Sequence, residues 1–355
     1  MNKKQEVILS GIRPTGRLHY GNYFGAIKQF IDLQEQGLTC YYFIADYHAL
    51  TTARKRVDYY RHTLDMLRTY VACGLDPARS IIYRQSDLPC TAELSLLLGM
   101  IAHVGLLERG TTYKDSVAKL PGGTTKGPEG NPISYGLLGY PVLMAADILI
   151  VRADKVPVGD DQRQHVEMAI DIAEKFNSRF KTDALKIPQP VARNAMRLPG
   201  LDGSAKMGKS ENNDLGLLDD EKTVLKKIKA VQTTTDPTSI EGDSDAPGDF
   251  IPQLPPSLGA LYRLLTLVAP EDVYHDFVGK YRAGEKFYGM LKTALAEHVS
   301  AFNAPIIEGF HAANNTDKNV ETFLAENAQK VTPTALETVE ACREAIGIGH
   351  SLYRA

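Results

Sequence analysis

Between residues 6 and 83 short apolar runs alternate with amphipathic ones, and that alternation restricts the fold more than any other feature of the chain. Glu6-Val7-Ile8-Leu9-Ser10 is followed by helical spacing from Tyr23 to Gln36, then by Cys40-Tyr41-Tyr42-Phe43-Ile44-Ala45-Asp46. A second helical stretch, from about Val57 to Cys73, leads to Ile81-Ile82-Tyr83. Strand, helix, strand, helix, strand is the rhythm of a parallel sheet, because parallel neighbours need a long crossover between them. The pattern resumes with apolar spacing over Tyr140 to Val151, a short run Lys155-Val156-Pro157-Val158-Gly159, and helical spacing over Asp161 to Phe176. Two loops rich in Gly and Pro interrupt it, Leu120 to Gly136 and Leu198 to Asn213. Beyond them the strand signals fade. Asp220 to Val231, Leu258 to Val268, Glu271 to Tyr281, Phe287 to Phe302, Asn319 to Val331 and Pro333 to Ile346 all have helical spacing. The expected fold class is α/β. A parallel-sheet domain is expected over residues 1–214, with an inserted loop near 120–136, and an all-helical domain over 215–355.

At 355 residues, 43% hydrophobic and 23% charged, the chain has the balance of a soluble globular protein, and its length suits two domains. No run approaches the roughly 18 apolar residues of a membrane helix, and the charged start has no signal region behind it, so no membrane partner and a cytoplasmic location are expected. Cys40, Cys73, Cys90 and Cys342 are scattered without metal-ligand or disulfide spacing, and no metal site is expected of them. With a net charge of -3, any nucleic acid must be held by a local basic surface. The chain has 17 Tyr and 11 Phe but no tryptophan.

Two segments carry chemistry. The first strand runs into Gly11-Ile12-Arg13-Pro14-Thr15-Gly16-Arg17-Leu18-His19-Tyr20-Gly21-Asn22 and then a helix. Small residues there allow close backbone approach, and the helix start offers N–H groups to phosphate, as in a nucleotide site. The bland alternative is an ordinary strand-to-helix turn. The dinucleotide fingerprint is absent, which argues against a dehydrogenase. The second segment, Gly203-Ser204-Ala205-Lys206-Met207-Gly208-Lys209-Ser210, matches the phosphate-loop pattern only formally, since no strand precedes it and no helix follows at once. Its two lysines still suit charge neutralisation on a leaving phosphate, against the alternative of a solvated basic loop.

Together these segments resemble the two signature motifs of class I aminoacyl-tRNA synthetases: Leu18-His19-Tyr20-Gly21-Asn22 is similar to the first, in the variant of the tryptophan and tyrosine enzymes, and Lys206-Met207-Gly208-Lys209-Ser210 to the second. The runs Tyr140 to Leu149 and Val156 to His165 closely resemble the bacterial tryptophanyl-tRNA synthetases. The likeness extends from about Ile8 to about Val231 and more loosely to the end.

The resemblance implies a Rossmann-like catalytic domain that activates tryptophan with ATP and Mg²⁺, releases pyrophosphate and charges tRNA(Trp), followed by a helical anticodon-binding domain, in a homodimer. It implies that His19, Asn22, Lys206 and Lys209 are catalytic. Arg13, Pro14, Thr15, Gly21, Asn22, Gly159, Asp160, Asp161, Gln162, Leu198, Lys206, Met207, Gly208, Lys209 and Ser210 would hold ATP. Leu9, Gly11, His48, Tyr140, Met144, Asp147, Val156, Val158 and Gln162 would hold tryptophan. The indole N–H is a donor, and a buried carboxylate such as Asp147 is its natural acceptor; Met144, three residues earlier on a helix, shares that face. The magnesium ion is expected to ride on ATP oxygens, with no protein metal site.

Two positions depart from the family. Gly208 stands where Ser is usual, and Thr112 where Gln commonly contacts the amino-acid backbone. They motivate one rival reading, a non-catalytic RNA-binding or regulatory paralogue; the other is a tyrosine-specific enzyme of the same fold, which would need a phenol-reading Tyr-Asp pair. Lys222, Lys226, Lys227 and Lys229, on one predicted helix, form a stripe that can follow tRNA phosphates or serve as a solvated face.

Overall fold

The computed structural model describes residues 6–53, 56–118, 120, 133–192, 196–233, 240–312 and 316–350. Five strands, β1 (Val7–Ile12), β2 (Thr39–Ile44), β3 (Ser80–Arg84), β4 (Lys155–Val158) and β5 (Gln189–Ala192), form one sheet in the order β3-β2-β1-β4-β5. All neighbours are parallel; Val7 to Ile12 pair in register with Thr39 to Ile44, and Ile8 faces Lys155. The order changes direction between β1 and β4. A crevice at the carboxyl ends of the strands opens at such a point, which is where open α/β sheets hold ligands.

The four strands expected from sequence are present, and the fifth is an addition. β5 is four residues long and contains Pro190; a proline, which cannot donate to a ladder, is tolerated at an edge, and no period-2 signal survives in so short a run. The last two expected helices are one, Asp317–Ile346, with Pro333 inside it. Packing overrides the missing rung: Val320 and Leu324 are buried in one core, and Val331, Ala335, Val339 and Cys342 in the other.

The helices after residue 220 do not keep a core to themselves. One apolar cluster joins Ile8, Tyr20 and Tyr42 to Leu261, Leu291 and Val299, so the first strand and helix share their interior with the carboxyl-terminal helices. The Gly- and Pro-rich segment 121–132 lies outside the described residues. No helix among the described residues is long and apolar enough to cross a membrane.

Candidate active site

The crevice between β1 and β4 holds a cavity of about 320 Å³, within the roughly 300–1,000 Å³ usual for small-molecule sites. β1 contributes Leu9 and Gly11, β4 contributes Val156 and Val158, the helix Tyr135–Ile150 contributes Tyr140, Met144 and Asp147, and His48 and Gln162 complete it. All nine residues expected to hold tryptophan therefore meet around one space. Tyr140, Met144 and Asp147 follow at i, i+4 and i+7, so one helical face presents all three.

Asp147 is the buried charge of this cavity, 3% exposed. His48 Nε2 lies 2.8 Å from its Oδ2. Gln85 Nε2 donates to both carboxylate oxygens, at 2.8 and 2.9 Å. The Gln85 amide is itself oriented, because its Oε1 accepts the backbone N–H of Tyr47 at 3.1 Å. Burial pushes the Asp147 carboxyl above the usual carboxylate range, against the pull of His48 and Gln85. Gln85 was missed by sequence reasoning. The available signal was its place directly after β3, at the carboxyl edge where ligands bind.

Two turns before Asp147 on the same helix, the Tyr140 hydroxyl is hydrogen-bonded to His165 Nε2 and donates to Thr112 Oγ1 at 3.1 Å. Thr112 thus lines the cavity. Gly11 is required for a different reason from ligand approach alone: a Cβ there would stand 2.6 Å from the Phe43 ring.

Of the residues expected around ATP, Arg13, Gly159 and Gln162 line the cavity. Gly159 caps the helix Asp160–Phe180, whose first turn contains Asp160, Asp161 and Gln162; the side chains of Asp160 and Asp161 lie outside the described part of the structure. Pro14 O lies 3.2 Å from His62 Nδ1, and Lys209 Nζ reaches Thr15 O at 3.5 Å. Gly16, at φ +100°, lies between them and admits that turn without strain.

His19 is 9% exposed, and Asn22 Oδ1 accepts its backbone N–H at 3.1 Å. Burial, with Lys209 and Lys206 nearby, lowers its imidazole pKa to about 4, so the ring is neutral at pH 7. A Cβ at Gly21 would touch that ring at 2.9 Å, so the glycine makes room for the histidine. Burial likewise lowers the pKa of Lys209.

The lysine loop folds back on itself. Met207 N–H donates to Leu198 O at 3.0 Å, and both side chains are buried. Asn213, 3% exposed, holds the turn: its Oδ1 accepts Gly208 N–H at 2.8 Å, and its Nδ2 donates to Ser204 Oγ at 2.8 Å and Lys206 O at 3.3 Å. Lys206 and Ser210 are exposed. Lys209–Glu211 is a single 3-10 turn, with neither the strand nor the long helix of a phosphate loop. On the helix Glu221–Ala230, Lys222, Lys226 and Lys229 are exposed, whereas Lys227 is paired with Asp219 at 2.7 Å.

Residues 1–304 match the family described as tRNA synthetases class I (W and Y). A tryptophan–tRNA ligase of Porphyromonas gingivalis is 40% identical over 344 residues, covering 96% of this chain and 99% of that protein. One of Fusobacterium nucleatum is 38% identical over 346 residues, covering 97% and 99%. Among solved structures, the tryptophanyl-tRNA synthetase of Campylobacter jejuni complexed with ADP and tryptophan superimposes with a TM-score of 0.80 at 34% identity, covering 96% of this chain and 99% of that one.

Proposed function

The chain belongs to the class I tRNA synthetases of the tryptophan and tyrosine group, and on that premise we propose that it is a tryptophan–tRNA ligase, forming tryptophanyl-adenylate from tryptophan and ATP and passing the tryptophanyl group to tRNA(Trp). The observation that carries this reading is the buried Asp147 carboxylate in an apolar cavity. Ionised, it can only accept, which matches an indole N–H that can only donate. His48 and Gln85 hold it so that its orientation is set before the substrate arrives. A tyrosine phenol both donates and accepts, whereas among the described residues the side chains that hydrogen-bond this carboxylate are His48 and Gln85 and not a tyrosine.

The reaction needs no protein nucleophile. The tryptophan carboxylate attacks the α-phosphate of ATP and pyrophosphate leaves, so the site has to stabilise spreading negative charge. Neutral His19 serves as a hydrogen-bond donor at the first turn. Lys209, already beside Thr15, and Lys206 neutralise the departing pyrophosphate. The start of the helix Asp160–Phe180 adds a positive dipole end at the cavity edge. Mg²⁺ travels with the ATP phosphates; among the described residues no group of three or more His, Cys, Asp or Glu gathers to hold a metal ion.

The exposed Lys222, Lys226 and Lys229 supply a track for tRNA phosphates, with Lys227 held back by Asp219. The protein acts in the cytoplasm as a homodimer. Supporting a dimer, Leu96, Met100 and Val104 are each more than half exposed on the helices Cys90–Gly99 and Val104–Leu107 and the turn between them.

Amino-acid-dependent ATP–pyrophosphate exchange tests the reading. Exchange with tryptophan and none with tyrosine is expected; exchange with tyrosine alone would overturn the substrate, and none with either would favour the non-catalytic paralogue.

A further inference from the structure

Asn303, in the helix Tyr288–Phe310, is fully buried and far in sequence from both signature segments. Its Nδ2 donates to Gly216 O at 3.1 Å and to Asp219 O at 3.0 Å. Its Oδ1 accepts the Tyr20 hydroxyl at 3.0 Å. The amide can face only one way, since turning it over would place its oxygen against two carbonyl oxygens.

Each of these partners belongs to a piece of the site. Tyr20 follows His19 at the start of the first helix, and Gly216 and Asp219 form the turn by which the chain leaves the lysine loop. The two segments are already joined by backbone: Tyr20 N–H donates to Leu215 O at 2.9 Å and Leu217 N–H to Leu18 O at 3.1 Å. Asp219 closes the turn from its other side, accepting Gly216 N–H at 2.8 Å. Next to Asn303, the Phe302 ring packs on Tyr20, Tyr23 and Phe24 at centroid distances of 5.4, 5.3 and 5.9 Å. Asn213, which clamps Gly208, stands only three residues before Gly216.

We propose that Asn303 and Tyr20 form a positioning pair for the adenylate step, fixing the distance between the first glycine turn and the exit of the lysine loop and so the place of Lys209 relative to the phosphates. The proposal rests on the ligase reading for its kinetic consequence. It assigns to the carboxyl-terminal helices a role inside the catalytic geometry. The pair touches neither wall of the tryptophan cavity, so its loss should act on ATP and pyrophosphate and leave tryptophan binding alone.

Tyr20→Phe removes one hydroxyl and keeps the ring packing; Asn303→Asp keeps the shape and replaces both donors. For each, the KM values of ATP and pyrophosphate are measured in tryptophan-dependent exchange. The Kd of tryptophan is read from the ligand's own fluorescence, since the chain has no tryptophan. Amide hydrogen exchange is followed at Tyr20, Gly208 and Leu217. The expected result is a rise of about three- to thirtyfold in the KM of ATP and pyrophosphate. Tryptophan Kd should stay within about twofold, and exchange of those three amides should quicken while β2 and β3 remain protected. Unchanged KM values with unchanged amide protection would overturn the proposal, as would a parallel loss of tryptophan affinity, the mark of a general folding role. If the wild type shows no tryptophan-dependent exchange, the ligase reading fails, and the amide arm alone still decides whether the pair holds the two segments together.

Discussion

His48 Nε2 and Gln85 Nε2 converge on the same carboxylate oxygen of Asp147, at 2.8 and 2.9 Å. The helix after β2 and the turn after β3 are thereby tied to the last turn of the helix Tyr135–Ile150, and the acceptor proposed for the substrate is held from both before anything binds. Asp147→Asn replaces one acceptor by a donor that faces the Gln85 donor or the substrate. The expected outcome is a rise of about ten- to a hundredfold in the KM for tryptophan with the KM for ATP unchanged, checked by pyrophosphate exchange. An equal loss of both would remove the role assigned to Asp147.

Gln85→Ala tests the residue that sequence reasoning passed over. It removes one of the two acceptors of the Tyr47 N–H, the other being Asp46 Oδ1 at 3.1 Å, and leaves Asp147 one supporting donor in place of two. Urea denaturation should show a loss of about 1–3 kcal/mol for the buried Asp147 carboxylate deprived of a donor. Tryptophan affinity should fall together with stability, because the same amide serves both; loss of stability with full affinity would mean that His48 alone orients the carboxylate.

The depressed pKa of His19 gives stability a pH dependence. The unfolded imidazole takes its proton near pH 6.5 and the folded one only near 4. Between those values the unfolded state binds more protons, so stability falls as the pH drops through this window and the contribution is complete above it. Urea midpoints at pH 7 and pH 4.5 should differ more for the wild type than for His19→Gln. Equal differences would place the burial penalty elsewhere.

Two glycines of the lysine loop should answer substitution differently. Gly203 has φ +82°, and a Cβ there would stand 2.5 Å from the backbone at Pro256 and Ser257. Gly203→Ala should therefore cost about 2–4 kcal/mol. At Gly208 the backbone is extended, and the nearest atom to a new Cβ is Ser210 Oγ at 3.9 Å. Gly208→Ser should change stability by no more than about 0.5 kcal/mol and keep pyrophosphate exchange at or above the wild-type rate. A marked drop in exchange would show that this loop depends on its glycine.

What the chain's order of residues determined was the local alphabet: four of five strands from apolar runs, the helical tail from its 3.6 period, and both charged or glycine-rich turns from residue types that such turns require. The side chains lining the cavity were anticipated through the resemblance to the synthetases, and spacing alone added that Tyr140, Met144 and Asp147 fall on one helical face. The tertiary structure decided what local pattern cannot carry. β5 forms because an edge accepts Pro190, and Pro333 stays within one helix because both flanks are buried. Gln85 and Asn303 acquire their places only from partners that the chain brings from distant positions, and Asn213 only from the folding back of its own loop. A polar side chain has the same composition and spacing whether it faces water or completes a buried site; only the fold removes the water and supplies the partner, and that exchange gives these three residues their energy.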